Sequence, residues 1–310
     1  MTFGIGHRDQ QLDGLKFILM FLVILGHMSY DSFGLPINKA IYTFHMPLFV
    51  CISGYFTHKS PDKTFLTWTV RTIGIFLIFE TFHVLLNVFW LNKPFTFYNY
   101  IHPDLALWYL LSLVLWRAIH AVLDKLGIRP SWKLFGFSLF CGIVAGFVPI
   151  GHTLSFQRTF AFYPFFVLGQ ILNEHKHIIQ LHPNYLIELT IIVCALFVGV
   201  LLPQYMPKEP YHQYTDAFVR FAQTAVALVL CISILRLSRI FRLRYFGNLG
   251  QYTLFFYLYH TLFIRVQESI LAYNHTYINI FHALLITTLY ITIIRCMVYA
   301  KPFRWLLLKP

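Results

Sequence analysis

Three ionisable side chains interrupt the first apolar stretch of the chain, LDGLKFILMFLVILGHM. They are Asp13 and Lys16 near its start and His27 near its end. An ionisable group inside a membrane helix is costly unless it faces protein or water, so it marks a candidate functional site. Lys16 and His27 are eleven residues apart. This spacing, about three helical turns, puts both on nearly the same side of a helix, with Cα atoms roughly 16 Å apart.

Three other ionisable side chains in apolar segments are candidates to act with His27. His45 is predicted at a similar depth, where it could share a proton or a substrate hydroxyl with His27, or instead hydrogen-bond a neighbouring loop. Glu80 could orient His27 and stabilise its protonated form. A buried structural ion pair with a helix arginine is the favoured alternative for Glu80. His260 is a secondary candidate near mid-membrane.

The composition indicates what kind of protein must hold these side chains. The chain has 310 residues, of which 58% are hydrophobic, 19% aromatic and only 12% charged, against a usual charged share of about 25%. With a mean hydropathy of +0.63, this composition is typical of an integral membrane protein. No stretch has the composition of a soluble domain, so residues 1–310 are predicted to form one membrane domain.

Ten apolar segments predict an all-α bundle of about ten transmembrane helices. Their bounds are residues 12–30, 40–56, 65–91, 105–123, 134–150, 160–173, 185–202, 216–236, 251–271 and 277–300. With a cytoplasmic N-terminus, fourteen basic residues fall in inner segments and four in outer loops. This bias satisfies the positive-inside rule and predicts that both termini are cytoplasmic, in a multi-pass protein of the cell membrane.

The net charge of +12 does not indicate a nucleic-acid partner, because the basic residues lie in short gaps between apolar runs. The inner link LRLSRIFRLRYFGN carries four arginines, at 236, 239, 242 and 244. They could contact anionic lipid or grip the phosphates of a cytoplasmic nucleotide. The five cysteines all lie in apolar segments without a CxxC pair. We therefore expect free, buried thiols and no metal site.

Several stretches together resemble the acyltransferase-3 family of integral membrane acyltransferases, in particular its fucose-4-O-acetylase-like branch. LDGLKFILMFLVILGH followed by FHMPLFVCISGYF resembles the opening of that family. The family pattern is a basic residue, ten intervening residues and a histidine, which Lys16 and His27 match with lysine in place of arginine. Similar later stretches are LWYLLSLVLWR from Leu107, RTFAFYPFFVLGQIL from Arg158 and GQYTLFFYLYHTLF from Gly250. The resemblance covers essentially the whole chain.

The resemblance implies transfer of an acyl group, usually acetyl, from cytoplasmic acetyl-CoA to a sugar hydroxyl outside. The acceptor would be a surface glycan or polysaccharide, or a lipid-linked sugar. His27 would act as general base or transiently carry the acyl group.

The resemblance also assigns contacts to the two substrates. Lys16 would line the donor path, held by Asp13 three positions earlier on the same helix. Arg71 matches one member of the arginine pair with which family members begin the third helix, and Gly74 replaces the other. Arg239, Arg242 and Arg244 would supply the remaining donor contacts. The predicted acceptor contacts are Arg158, Trp108, Tyr109 and His260.

A transporter or exporter of a lipid-linked sugar or a small solute is the alternative function from another class. Proton-coupled transport also requires charges and histidines within the membrane. The chain shows no internal repeat, and the polar residues of its first segment follow the acyltransferase spacing. Both observations favour the enzyme.

Overall fold

The computed structural model describes residues 9–28, 36–57, 62–103, 105–180, 184–203, 207, 209–274 and 280–300. Ten helices of thirteen or more residues occur in these ranges: α1 (Gln10–Met28), α2 (Pro36–Tyr55), α3 (Asp62–Phe89), α5 (Trp108–Lys125), α6 (Trp132–Val144), α7 (Phe156–Glu174), α9 (Tyr185–Leu201), α10 (Thr215–Ser238), α12 (Thr253–Asn274) and α13 (Ile280–Tyr299). Three short α-helices lie between them: α4 (Tyr98–Ile101), α8 (His177–Gln180) and α11 (Gly247–Gly250). No strand occurs in the described ranges, so the predicted all-α class is confirmed there.

Three of these helices are long and apolar enough to cross a membrane, as far as the described residues go. They are Phe65–Phe89 within α3, Thr215–Ser238 in α10 and His282–Tyr299 within α13. The ten longer helices overlap the ten apolar segments of the sequence. The protein is therefore a helical membrane protein, whereas ten crossings and cytoplasmic termini stay predictions.

Short polar side chains begin several of the helices by accepting hydrogen bonds from otherwise unpaired backbone N–H groups. Asp9 Oδ1 accepts from the backbone of Gln11 and Leu12 at 3.0 and 3.1 Å. Ser131 caps α6 by accepting from the third residue beyond it at 3.3 Å. Asn184 caps α9 at 3.0 Å. These bonds fix where the helices start.

The backbones of α2 and α7 touch directly through two glycines. A Cβ on Gly54 would overlap the carbonyl of Phe166, and a Cβ on Gly169 would overlap the carbonyl of Cys51. Small residues at such crossings allow helices in membranes to approach closely. This contact fixes α2, and therefore its polar residues, against α7.

An ion pair joins α9 to α10 where the sequence predicted a lipid-facing or ligand-binding arginine. Arg236 Nη1 lies 2.9 Å from Glu188 Oε1, whose side chain is buried. Removing Arg236 would leave the buried Glu188 carboxylate without its counter-charge, so we assign Arg236 a structural role. Large apolar side chains on the outer faces of α9 and α10, such as Phe197 and Phe218, are exposed, as expected for a wall that faces lipid.

The five cysteines are free. Cys51 and Cys231 are buried as expected and Cys141 is half-buried, whereas Cys194 and Cys296 are exposed. The expectation of burial was therefore wrong for the last two. An apolar membrane helix can turn any of its small residues towards lipid, and the sequence does not show which face does so.

Helix α1 is enclosed by the rest of the bundle. Four of its side chains are almost completely buried: Leu12, Leu19, Met20 and Ile24. It packs against α2, α12, α13 and the segment 243–250. The polar residues near the start and the end of α1 therefore lie at the two ends of the bundle interior.

Candidate active site

Two histidine rings meet at the end of α1. The ring centroids of His27 and His260 of α12 are 5.8 Å apart. His45 of α2 and the guanidinium groups of Arg158 and Arg265 also lie near enough to act electrostatically on His27. The structure thus gathers four basic groups around one half-buried imidazole. The two guanidinium groups would favour a reaction that develops negative charge beside His27.

The tautomers of two of these histidines follow from their hydrogen bonds. His45 Nδ1 lies 2.7 Å from the carbonyl of Ile41, and His260 Nδ1 lies 3.1 Å from the carbonyl of Phe256. A carbonyl oxygen only accepts, so each Nδ1–H donates to the preceding turn of its own helix. The neutral ring of each then has its lone pair on Nε2. In His260 this nitrogen is buried and has no hydrogen-bond partner among the described atoms.

Aromatic side chains hold the histidines in place. The Tyr42 ring stands edge-on to His45, with centroids 5.0 Å apart. A Cβ on Gly26 would lie 3.3 Å from the Tyr42 ring, so a side chain at this position, next to His27, would press on Tyr42. The sequence reasoning missed Tyr42. Its position one helical turn before His45 was the available signal.

Arg158 and Trp108, predicted to contact the acceptor, lie against each other. The guanidinium of Arg158 is 5.1 Å from the centre of the Trp108 ring, a cation–π distance. Phe162 stacks on the same ring at 5.2 Å. Trp108 is only 6% exposed whereas Arg158 is half-buried. Arg158 is therefore the more accessible of the two.

Tyr109, also predicted to contact the acceptor, points into the bundle. Its side chain is 5% exposed, and its hydroxyl group bonds to Ser53 of α2. Its ring lies 5.6 Å from both Phe49 and Tyr257. Because Tyr109 follows Trp108 by one helical position, the two rings leave α5 in different directions.

Glu80 is buried on α3, with 1% of its surface exposed. One turn further along, His83 Nε2 lies 2.9 Å from Thr261 Oγ1. Thr261 donates its hydroxyl proton to the carbonyl of Leu258, so it accepts from His83. This polar face of α3 meets α12. Orientation of His27 by Glu80 stays a prediction.

The opposite end of α1 carries the expected ion pair. Lys16 Nζ lies 2.6 Å from Asp13 Oδ1, three positions earlier, the spacing at which helical side chains meet. The same ammonium group lies 5.1 Å from the centre of the Phe56 ring. About a quarter of the Lys16 side chain is exposed, at 23%. Lys16 is thus held by its neighbours yet accessible to a ligand.

The arginine-rich segment 239–244 is tied to the first turn of α1. Arg239 Nη1 lies 2.8 Å from Asp9 Oδ2. Gln11 donates to the carbonyl of Ser238 at 2.9 Å and accepts from the backbone N–H of Arg244 at 2.8 Å. The structure therefore brings the predicted arginines to the same end of the bundle as Lys16. Arg239 is engaged with Asp9.

The side chains of Arg242 and Arg244 are exposed. Arg71, the other predicted donor contact, lies half-buried on α3. Arg117 of α5 approaches that helix, 3.8 Å from the centre of the Trp68 ring, about one turn before Arg71. Within the described residues, no hydrogen bond or ion pair joins Arg71 to α1 or to the segment 239–244.

Residues 9–298, nearly the whole chain, match the model of a family described as an acyltransferase domain. The chain belongs to the acyltransferase-3 family. The family predicted from the sequence is thereby confirmed, and with it the enzyme class: the protein is an acyltransferase.

Two curated relatives of this acyltransferase carry the name nodulation protein NolL. The protein from Sinorhizobium fredii is 26% identical over 309 residues, covering 86% of this chain and 81% of its own length. The protein from Mesorhizobium japonicum is 48% identical over 60 residues, 17% of this chain and 16% of its own length. No solved structure matches the chain.

In this acyltransferase-3 protein, sequence reasoning found the local arrangements and missed the distant ones. The Lys16–Asp13 pair follows from helical spacing alone. The tie between Asp9 and Arg239 joins residues 230 positions apart, and no local pattern predicts it. Asp9 could have been identified as the residue that caps α1, because it directly precedes the helix.

Proposed function

We propose that this acyltransferase is an O-acetyltransferase of the cell membrane that spans the bilayer several times. It moves an acetyl group from cytoplasmic acetyl-CoA to a hydroxyl of a sugar on the outer side. The observation that carries the proposal is the polarity of α1. The Lys16–Asp13 pair and the arginine segment lie at its first turns, and the histidine cluster lies at its last turn.

The basic end of α1 is suited to the charged end of acetyl-CoA. Guanidinium groups bind phosphate through paired hydrogen bonds, and Arg242 and Arg244 expose theirs. Lys16, partly exposed beyond them, would line the path along which the pantetheine arm carries the thioester towards His27. Arg71 stays a proposed donor contact from the family pattern.

At the other end, His27 would accept the proton of the acceptor hydroxyl as that oxygen bonds to the thioester carbon. The carbon–sulfur bond then breaks, and His27 donates that proton to the departing thiolate. Proton and electron pair balance without a further reactant. A transient acyl-His27 would divide the same transfer into two steps.

Arg158 is the proposed contact for the acceptor, since the residue is half-buried whereas Trp108, against which it lies, is almost fully buried. Tyr109, enclosed by other rings, would shape the wall behind Trp108. His45 and His260 would present Nε2 lone pairs to the groups that surround His27. Glu80, on α3, would orient His27.

His260 is proposed as a positioning residue whose Nε2 accepts a hydrogen bond from protonated His27. The change to asparagine keeps an N–H that can reach the Phe256 carbonyl but removes the acceptor at Nε2. The change to glutamine keeps an acceptor near Nε2. A hydrogen bond to a charged group contributes about 1.5–3 kcal/mol, so we expect His260→Asn to lower kcat by about 10–100-fold, His260→Gln to lower it less, and KM for acetyl-CoA to stay unchanged in both. If asparagine preserves kcat, His260 only anchors its helix.

Neutralising the two exposed arginines tests the donor site. Exposed charge contacts contribute about 0.2–1 kcal/mol each, so the Arg242→Gln, Arg244→Gln double variant should raise KM for acetyl-CoA by about 2–30-fold with kcat unchanged. The difference should shrink at high salt because the charges are exposed. The control is Arg129→Gln with Lys133→Gln, which removes two exposed charges elsewhere. An equal rise in KM for the control variant would mean that the effect comes from net charge and not from a donor site.

The experiment that tests the proposed function uses the purified protein in vesicles, with acetyl-CoA outside or inside and sugar acceptors in the other compartment. Acetyl-CoA labelled in the acetyl group should lose its label to a sugar hydroxyl across the bilayer. Transfer only when donor and acceptor share a compartment would contradict the proposed direction. If the protein does not turn over acetyl-CoA, then acetyl-CoA is not the donor.

A further inference from the structure

A cavity of about 100 Å³ lies between α2, α7, α9 and α10, outside the histidine cluster. Tyr42 and Phe162 form part of its lining. The same Tyr42 ring packs against His45 at 5.0 Å, and the same Phe162 ring stacks on Trp108 at 5.2 Å. One layer of aromatic side chains therefore separates the cavity from the histidine cluster.

The charged group in the lining is Arg220, whose residue is only 3% exposed although it lies on an apolar helix. Its guanidinium is 4.7 Å from the centre of the Tyr211 ring. Nearby polar side chains are turned to the backbone: Gln223 donates to the carbonyl of Pro203 at 2.7 Å, and Thr224 donates to the carbonyl of Arg220 at 2.7 Å. Arg220 thus supplies the cavity with a cation.

The remaining walls are largely apolar and include Pro47, Phe165, Leu202 and Ala227. The cavity also lies beside the wall that faces lipid, because Phe197 of α9 and Phe221 of α10 are exposed large side chains. A buried cation beside apolar walls matches a ligand with an anionic head and a hydrocarbon chain. A purely polar sugar would leave these walls poorly solvated.

We propose that this cavity binds the oxyanion head, a phosphate or carboxylate, of an amphiphile that enters from the membrane. The guanidinium of Arg220 pairs with the oxyanion, and the apolar walls contact the first part of the chain. Resting on the proposed function, this assigns the acceptor to the lipid-linked class. The lipid is held at Arg220, and the sugar reaches His27 past Tyr42.

The test measures lipid retention by native mass spectrometry of the full-length protein in a neutral detergent. The probes are phosphatidic acid and diacylglycerol, which share hydrocarbon chains and differ in the phosphate. We expect wild type to retain phosphatidic acid at least fivefold better than diacylglycerol. Arg220→Gln should abolish this preference and Arg220→Lys should keep part of it. Arg117→Gln, which removes a half-buried arginine against Trp68, should leave it intact.

Ala227→Leu provides a second test because it fills the cavity and keeps Arg220, so retention should also fall. Equal preference in wild type, Arg220→Gln and Ala227→Leu would overturn the site. Glycerol 3-phosphate, added as the head group alone, should not displace the lipid; displacement at equal concentration would assign the cavity to soluble oxyanions and overturn the lipid-linked acceptor. Lipid retention is measured without turnover. A wild-type protein that lacks transferase activity would therefore contradict the proposed function, and the lipid preference of the cavity could still be measured.

Discussion

Replacing His27 with alanine is expected to lower the rate of acetyl transfer by about 10²–10⁴-fold, the usual contribution of a general acid or base. The reason is positional. His27 lies at the end of the enclosed helix α1, within 5.8 Å of the His260 ring, and with the charge of Arg158 acting on it. The measurement is the initial rate of transfer from labelled acetyl-CoA at saturating donor, with KM for acetyl-CoA determined in parallel.

The variant should stay folded and bind donor normally, because His27 is half-buried and the proposed phosphate contacts lie at the opposite end of α1. The matched control is His177→Ala, which removes an exposed imidazole on α8 and should leave the rate unchanged. A His27→Ala protein that transfers acetyl groups at the wild-type rate would contradict the mechanism, whereas a loss confined to KM would make His27 a binding group.

The sequence predicted the helices well because the membrane imposes one rule on all of them. In lipid every backbone polar group must be satisfied within the chain, so long apolar stretches become helices. The segment 185–202 and the helix Tyr185–Leu201 illustrate this agreement. Helical spacing likewise predicted the contact of Asp13 with Lys16, because it depends on one helix alone.

The contacts of the site that could not be predicted from the sequence depend on which helices pack against each other. The contact between His27 and His260 joins residues far apart in the chain. Tyr109 was predicted to contact the acceptor, and no local pattern predicts that its hydroxyl group bonds to Ser53 of α2 inside the bundle. On an apolar helix the hydrophobic pattern runs all round, so it does not say which residues face neighbours.

The two ends of α1 also depend on contacts from distant segments. The Asp9–Arg239 pair attaches the arginine segment to the first turn, and α12 brings His260 to the last. Within the described residues, the helix that first attracted interest for its polar residues is thus bounded by partners from the C-terminal half. Its own sequence supplies the cation and the imidazole, and the fold supplies their surroundings.

The largest effect on stability is expected from Gly169→Ala, at the crossing of α7 with α2. The added Cβ would overlap the backbone carbonyl of Cys51 and approach the backbone nitrogen of Tyr55 at 2.7 Å. Backbone atoms cannot rotate away as a side chain can, so the helices must separate. Overpacking of this kind costs about 3 kcal/mol, at the upper end of its usual range. Because α2 carries His45, transfer activity should fall together with stability.

Gly74→Ala on α3 is the matched control, since a Cβ there meets no atom within 4 Å. Alanine is the better helix former by about 1 kcal/mol, so this change should be neutral or stabilising. The thermal midpoint of the monodisperse fraction in detergent, read by size-exclusion chromatography after heating, should fall for Gly169→Ala and hold or rise for Gly74→Ala. Equal midpoints would mean that α2 and α7 do not meet at their backbones, and the position of His45 beside His27 would lose its structural basis.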